Sequence, residues 1–101
     1  MTDPEIRDNP DRHQYELPID GELAVVTYNL SPPNLMITET LVPERLEGQG
    51  IASRLARHVL ADAQARGLLI LPVCPFFSAY LQKHPEHADA VHPTYRGILG
   101  I

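Results

Sequence analysis

Cysteine is almost absent from this chain, which has a single one, Cys74, in 101 residues. One thiol cannot form an internal disulfide, and it makes a zinc site built on cysteines implausible. Long hydrophobic runs are also missing, since no apolar stretch approaches the roughly 20 residues that span a bilayer. The absences predict a fold that depends neither on a disulfide nor on insertion into a membrane.

Positive charge is scarce as well. Eight Lys and Arg residues face 13 Asp and Glu residues, giving a formal net charge of −5. Nucleic-acid binding usually needs a basic patch or a basic stripe with aromatic residues, and neither is seen. Acidity would suit a cationic or amine substrate, but it is more commonly a solubility device. The segment 1–5 lacks the basic and apolar regions of a signal peptide, so we expect a cytoplasmic protein.

The length predicts one domain with a modest core. We expect residues 1–10 to form a flexible N-terminal segment, because they are polar and contain two prolines. Residues 11–94 should form the domain. Residues 95–101 are an apolar C-terminal tail without clear periodicity.

Hydrophobic periodicity predicts most of the secondary structure. Alternating apolar residues indicate strands over 13–19, 22–30 and 35–42, and the dipeptide Asp20-Gly21 predicts a hairpin turn between the first two. A continuous apolar run predicts a strand buried on both faces at 68–73. Apolar residues spaced three and four apart indicate a helix over 51–66 that ends at Gly67, with His58 at the surface. A second helix is expected over 76–84.

These elements predict an α/β fold: a mixed, twisted sheet of about four strands with helices packed on it. The third strand, the long helix and the fourth strand form a βαβ unit, whose strands should be parallel. Ligands bind such units beyond the carboxyl ends of the strands. Gly48-Gln49-Gly50 follows one carboxyl end and Cys74 follows the other, so both should lie at the same edge of the sheet.

Gly48 and Gly50 lie between a strand and a helix, where they would leave backbone N–H groups uncovered beside the positive end of the helix dipole. This is a common way to bind a phosphate or pyrophosphate. The glycines could instead permit a tight turn and a close helix–strand contact. The surrounding elements and Arg45 favour the phosphate interpretation. Arg45 is either an ordinary solvated charge, or it orders the loop or contacts a phosphate.

The run from Arg45 to Gly50 matches the Arg/Gln-x-x-Gly-x-Gly/Ala loop of the GNAT superfamily of acyl-CoA-dependent N-acetyltransferases, which the chain resembles over residues 8–91. It is more similar to the smallest single-domain subfamily, the YjdJ-like or NATD-type proteins. The further features that carry this resemblance are Asp8-Asn9, Tyr15-Glu16-Leu17, Leu46–Ile51, Ala63–Gly67, Pro72–Phe76, Tyr80 and His84-Pro85-Glu86.

The resemblance implies acetyl-CoA as co-substrate and direct acetyl transfer to a small-molecule or protein amine, without a metal. The pyrophosphate would bind the N–H groups of the loop, and the pantetheine arm would run between the splayed third and fourth strands. The residues assigned to CoA are Leu41, Val42, Arg45, Gly48, Gln49, Gly50, Ile51, Ala52 and Phe76. We expect no nucleic-acid or membrane partner, and a monomer or weak dimer. His84 and His87 do not indicate a metal site, because Pro85 interrupts their helical spacing.

The subfamily usually carries a histidine in the strand before the loop, and the corresponding position is Glu39. A histidine-assisted mechanism therefore does not transfer. Alternation along the strand predicts that Glu39 shares a face with Leu35, Ile37 and Leu41. The carboxylate is then either solvent-exposed, or near a cleft where it would suit a general base for an amine.

Two more side chains are catalytic candidates. Cys74 lies between Pro72 and Pro75, and it is either a small buried hydrophobe or a group that accepts the acetyl. Tyr80 is either a core residue or, as the resemblance implies, the acid that protonates the departing CoA thiolate. We favour direct attack by the amine, with Cys74 packing the cleft.

Two functions remain open. The first is an acetyl-CoA-dependent N-acetyltransferase. The alternative is an acyl-CoA-binding sensor or interaction module with little turnover, because a fold alone does not settle function. Accumulation of free CoA from acetyl-CoA in the presence of amines separates the two.

Overall fold

The computed structural model of the chain describes residues 3–101. Five strands form one mixed sheet in the order β1-β2-β3-β4-β5. The strands are β1 (Arg7–Asn9), β2 (Gln14–Ile19), β3 (Glu22–Ser31), β4 (Asn34–Leu41) and β5 (Leu69–Pro72). The α-helices are α1 (Ile51–Ala65), α2 (Pro75–Lys83) and α3 (Pro93–Leu99), and short 3-10 turns span Pro10–Arg12, Glu44–Leu46 and Pro85–Ala90.

The first four strands are antiparallel, and β5 joins β4 in parallel after the crossover through α1. The predicted α/β class, mixed sheet and βαβ unit are therefore confirmed. The predicted hairpin turn is present too, since Asp20 and Gly21 both have positive φ, at 51° and 77°. That pair of angles suits a two-residue turn between right-handed twisted strands.

The additional strand is β1, which pairs with β2 within the segment that we expected to be flexible. Its sequence, Arg-Asp-Asn, contains no apolar alternation, so periodicity gave no signal. Just before it, Ile6 is buried in the core with only 5% of its surface exposed. The structure thus joins Arg7–Asn9 to the sheet and buries Ile6 in the core, while residues 1 and 2 lie outside the described range.

The C-terminal tail also belongs to the packed structure. Most of it lies in α3, and Tyr95, Leu99 and Ile101 pack against the core. The helix begins with Pro93, and the His92 side chain accepts a hydrogen bond from the Thr94 N–H. Seven residues are too few for a clear 3.6-residue period, which explains why the sequence pattern missed this helix.

One core joins the inward side chains of the sheet to α1 and α2. The predicted apolar stripe of α1 is buried, and Gly67 follows the helix with a φ of 67°. Two expectations were wrong: His58 is buried rather than at the surface, and β5 alternates between buried and partly exposed residues. Across residues 3–101, no helix combines the length and apolar character needed to cross a bilayer.

Candidate active site

The carboxyl ends of β4 and β5 separate from one another. Their parallel pairing ends at Ile37 and Pro72, and the last bond runs from the Cys74 N–H to the Ile37 carbonyl at 2.9 Å. Beyond Ile37, residues 39–41 of β4 pair with β3 and have no β5 partner. Pro72 has no N–H to donate, and Pro75 begins α2, so the chain turns away from β4 here. The result is a gap at the edge of the sheet.

The loop that follows β4 lies beside this gap. The buried side chain of Leu46 anchors it, and Gly48 and Gly50 then adopt φ angles of 81° and 76°. Apart from the glycine and its two chain neighbours, no heavy atom of the described residues lies within 4 Å of where a Cβ would be at either position. The left-handed backbone, rather than a close helix–strand contact, therefore requires glycine at both positions.

Helix α1 starts at this loop without a side-chain cap. Its first intrahelical bond runs from the Arg54 N–H to the Gly50 carbonyl at 3.0 Å. The N–H groups of Ile51, Ala52 and Ser53 consequently have no acceptor within the helix. With the helix dipole behind them, they form an anion-binding surface at the edge of the gap.

An open cleft of about 230 Å³ lies over these N–H groups. Its lining residues are Val42, Leu46, Glu47, Gly48, Gly50, Ile51, Ala52, Ser53 and Phe76. Six of them were assigned to CoA from the sequence, and three of the assigned residues, Leu41, Arg45 and Gln49, do not line it. The other three lining residues, Leu46, Glu47 and Ser53, were not assigned. For Ser53, its place in the first helical turn is the signal that could have identified it.

The guanidinium of Arg45 contacts the β2–β3 hairpin instead of the cleft. Its Nη2 donates to the Asp20 carbonyl at 2.6 Å, and its Nε forms an ion pair with the Glu22 carboxylate. Arg45 therefore links the glycine loop to the hairpin turn.

A β-bulge changes the predicted position of Glu39. The register between β3 and β4 shifts so that Tyr28 pairs with Ile37 but Thr27 pairs with Glu39, leaving Thr38 as the extra residue. A bulge breaks the strict alternation of a strand. Glu39 is therefore exposed with Thr27 on the face opposite Ile37, and the prediction that it shares a face with Leu35 and Ile37 was wrong.

The bulge turns Thr40 inward in place of Glu39. Thr40 pairs with the fully buried Val26, and its Oγ1 lies 3.4 Å from the Cys74 Sγ. Sequence reasoning missed Thr40, because the run Thr-Glu-Thr contains nothing that marks an inserted residue. Cys74 and Glu39 are consequently not brought together on one face of the sheet.

Cys74 is buried at the start of α2, with 3% of its surface exposed. Among residues 3–101, the hydroxyl of Thr40 is the hydrogen-bonding group at its sulfur, and no carboxylate or imidazole bonds to it. A neutral hydroxyl does not serve as the base that generates a thiolate. The thiol therefore lies at the gap without an activating partner in the described chain.

Tyr80 is buried, as Cys74 is, and it lies one helical turn beyond Phe76. Its ring centroid lies 6.3 Å from that of Phe76 and 4.3 Å from that of His84. The hydroxyl forms no hydrogen bond to any described residue, and the ring does not line the cleft. In the part of the chain that the structure describes, no group of three or more His, Cys, Asp or Glu side chains is arranged to hold a metal ion.

Comparisons with known proteins agree with this architecture. Residues 14–90 match the family model described as GCN5-related N-acetyl-transferase. The chain is also similar to the NMR solution structure of a GCN5-like protein from Staphylococcus aureus that is provisionally designated an N-acetyltransferase. The two are 26% identical, the TM-score is 0.70, and the similarity covers 91% of each chain. No curated protein matches the chain. Because the family match covers β2 to α2 and includes the whole cleft, the chain belongs to the GCN5-related N-acetyltransferase family.

Proposed function

We propose that this protein transfers an acetyl group from acetyl-CoA directly to an amine. The observation that carries the proposal is the set of uncapped N–H groups at the start of α1, which face a cleft beside the splayed ends of β4 and β5. Family membership supports acetyl transfer in general, and these groups support a binding site at this edge for the pyrophosphate of the acetyl donor.

The cleft suits part of a CoA molecule. Its N–H groups and helix dipole favour the pyrophosphate, and its apolar residues Val42, Ile51 and Phe76 favour the neighbouring alkyl portions. Its volume is below the roughly 300–1,000 Å³ of a pocket that encloses a drug-sized ligand. In this proposal the adenosine portion therefore extends over the protein surface.

The pantetheine arm would enter the gap between β4 and β5. On that side, the backbone near Leu41 and Val42 has no β5 partner in the described structure. An extended amide chain could pair with this free strand edge as another strand would. This arrangement would bring the thioester toward Cys74 and Thr40.

We infer direct transfer because no described residue supplies an activating base at the Cys74 sulfur. The amine nitrogen would attack the thioester carbonyl, a C–N bond would form, and the C–S bond would break to release the CoA thiolate. The amine would approach from the face of the sheet that carries Glu39, opposite that of Cys74 and Thr40, and the exposed Glu39 carboxylate would take the proton of the ammonium. The Tyr80 hydroxyl, which forms no hydrogen bond within residues 3–101, would donate its proton to the thiolate.

A thermal-shift titration with acetyl-CoA tests donor binding. A ligand present at one hundred times its dissociation constant stabilises the folded state by about 2.7 kcal/mol. An unchanged melting temperature up to millimolar acetyl-CoA contradicts the proposal. Release of free CoA in the presence of mixed amines then tests turnover, and mass spectrometry of the products identifies the acceptor. Binding without CoA release would support the alternative, an acyl-CoA-binding sensor.

Substitution of Cys74 tests the route of transfer. We expect Cys74→Ser to change turnover little, whereas Glu39→Gln and Tyr80→Phe should each lower it about one hundredfold. Intact-protein mass spectrometry without an amine should show no acetyl adduct. A stoichiometric adduct on Cys74 that an added amine removes at a competent rate would instead establish a covalent route.

A further inference from the structure

The β2–β3 hairpin contacts the glycine loop through Arg45, although it contributes no residue to the cleft. Arg45 lies in the 3-10 turn that immediately precedes Gly48 and Gly50. Its guanidinium contacts two groups on the hairpin, the Asp20 carbonyl and the Glu22 carboxylate. A guanidinium that bonds through two of its nitrogens is restrained in orientation as well as in position.

The backbone of the hairpin fixes the position of the two groups that Arg45 contacts. The strands pair up to Ile19 and Glu22, directly beside the turn, and Asp20 and Gly21 adopt the two positive φ angles of a tight turn. The Glu22 oxygen that faces Arg45 is inaccessible to solvent. The two side chains as a whole are partly exposed, so the contact disfavours open states by the modest amount of an exposed ion pair.

We propose that Glu22, with the Asp20 carbonyl, is a positioning residue: it holds Arg45 and thereby fixes the loop whose N–H groups bind the CoA pyrophosphate. This inference rests on the proposed function for its consequence on CoA binding. A loop already held in its binding conformation loses less conformational entropy when the ligand arrives. Arg45 then acts through the loop and does not contact a phosphate.

The substitution Glu22→Gln distinguishes this role from a phosphate contact, because the two predict opposite signs. If Glu22 positions the loop, the substitution weakens CoA binding about two- to fivefold, the effect of an exposed ion pair. If Arg45 binds a phosphate and Glu22 competes for it, the substitution releases Arg45 and CoA binding becomes tighter. Isothermal calorimetry with free CoA measures the change, and unchanged or tighter binding overturns the proposal.

A double-mutant cycle and a conservative variant sharpen the result. Arg45→Ala should weaken binding by a similar factor, and adding Glu22→Gln to it should cause little further loss, because both remove the same contact. Arg45→Lys keeps a positive charge but cannot contact both hairpin groups as a fork. It should behave like the alanine variant, and wild-type affinity in Arg45→Lys would contradict the positioning role.

Hydrogen exchange in the ligand-free protein tests the coupling independently of CoA. Backbone amides of residues 47–52 should exchange faster in Glu22→Gln than in the wild type. The matched control is Glu5→Gln, which makes the same charge change in an exposed ion pair with Arg54 and leaves Arg54 paired with Asp3. Equal exchange in the two variants overturns the inference. If the wild type does not bind CoA, the proposed function fails, and this measurement alone decides whether the hairpin holds the loop.

Discussion

Helix α1 presents polar groups in two contrasting ways. At its N-terminus, backbone N–H groups lack a side-chain cap and face the cleft. Along one flank, four polar side chains spaced four residues apart, the last at the C-cap, contact the N-terminal segment or the sheet. They are Arg54, His58, Asp62 and Arg66. Polar groups are satisfied where the protein holds its own chain, and they are left open where we propose that a ligand binds.

The first half of the flank holds the N-terminal segment. Arg54 forms ion pairs with Asp3 at 2.8 Å and with Glu5 at 3.2 Å. The neutral Nδ1 of His58 accepts a hydrogen bond from the Asp3 N–H at 2.8 Å. These contacts are tertiary, because the groups that they join lie about 50 residues apart in the sequence.

The second half of the flank is a tyrosine–carboxylate network. Tyr15 donates to Asp62 and Tyr28 donates to Asp8, each at 2.6 Å, and Arg66 contacts both carboxylates. Burial and the adjacent carboxylates raise the pKa of Tyr15 and Tyr28, so both hydroxyls keep the proton that they donate. The network joins β1, β2 and β3 to α1.

The largest expected effect is on CoA affinity, and it comes from a substitution beside the uncapped N-terminus of α1. Gly48→Val should weaken CoA binding about 5- to 150-fold, because a branched residue in this left-handed conformation costs about 1–3 kcal/mol and the loop would relax away from it. Gly67→Val is the matched control, since it places the same side chain at a φ of 67° at the other end of α1. It should lower stability in urea denaturation and leave the CoA affinity measured by calorimetry unchanged. Equal losses of affinity in both variants would contradict the distinction between the two ends.

A substitution on the flank should lower stability and leave CoA affinity unchanged, which is the reverse of the effect of Gly48→Val. Tyr15→Phe removes the donor to Asp62, and a hydrogen bond to a charged group contributes about 1.5–3 kcal/mol. We expect the free energy of unfolding in urea to fall by that amount, with CoA affinity unchanged. A loss of affinity without a loss of stability would show that the flank also shapes the cleft.

The flank should also make stability depend on pH. Burial lowers the pKa of His58, and the carboxylates of Asp62, Asp3 and Asp8 oppose that shift. The unfolded chain therefore binds a proton first as the pH falls through 6.5, the ordinary value, and stability declines from there toward the lower folded pKa. The carboxyl of Asp3 has a lowered pKa from its hydrogen bond to the Glu5 N–H, so its contribution is lost only below 3.8.

His58→Asn tests this pH dependence, because the amide oxygen can accept the Asp3 N–H but does not titrate. The free energy of unfolding in urea, measured from about pH 8 to about pH 5, should decline less steeply in the variant than in the wild type. This range extends on the order of one unit to either side of the ordinary histidine pKa. The same slope in both proteins would assign the decline to other groups.

The smallest effect is expected at the exposed margin of the flank. Glu5→Gln should lower the free energy of unfolding by about 0.2–1 kcal/mol, because its partner Arg54 remains paired with Asp3 and water screens the contact. The difference should shrink further in molar salt. A loss above about 2 kcal/mol would mean that the N-terminal segment depends on this pair more than surface ion pairs allow.

The local pattern of residues determined the fold class and the place of the cleft. Apolar alternation, the continuous apolar run at 68–73, the Asp20-Gly21 turn and the stripe of α1 were sufficient to predict β2 to β5, the parallel pair and the glycine loop at its carboxyl edge. These signals are strong because each depends on neighbours a few residues apart. The short polar strand β1 and the short helix α3 lack such periodicity, so only their packing revealed them.

Tertiary structure decided which side chains meet. A single inserted residue, Thr38, exposes Glu39 and turns Thr40 toward Cys74, and a bulge depends on pairing between strands rather than on composition. Arg45 could be placed beside the loop from the sequence, but its contacts with the hairpin join groups more than 20 residues apart. The sequence by itself determined where backbone N–H groups would be left open, because local geometry exposes them. Only the folded chain determined which charges hold that geometry in place, because their partners arrive from distant segments.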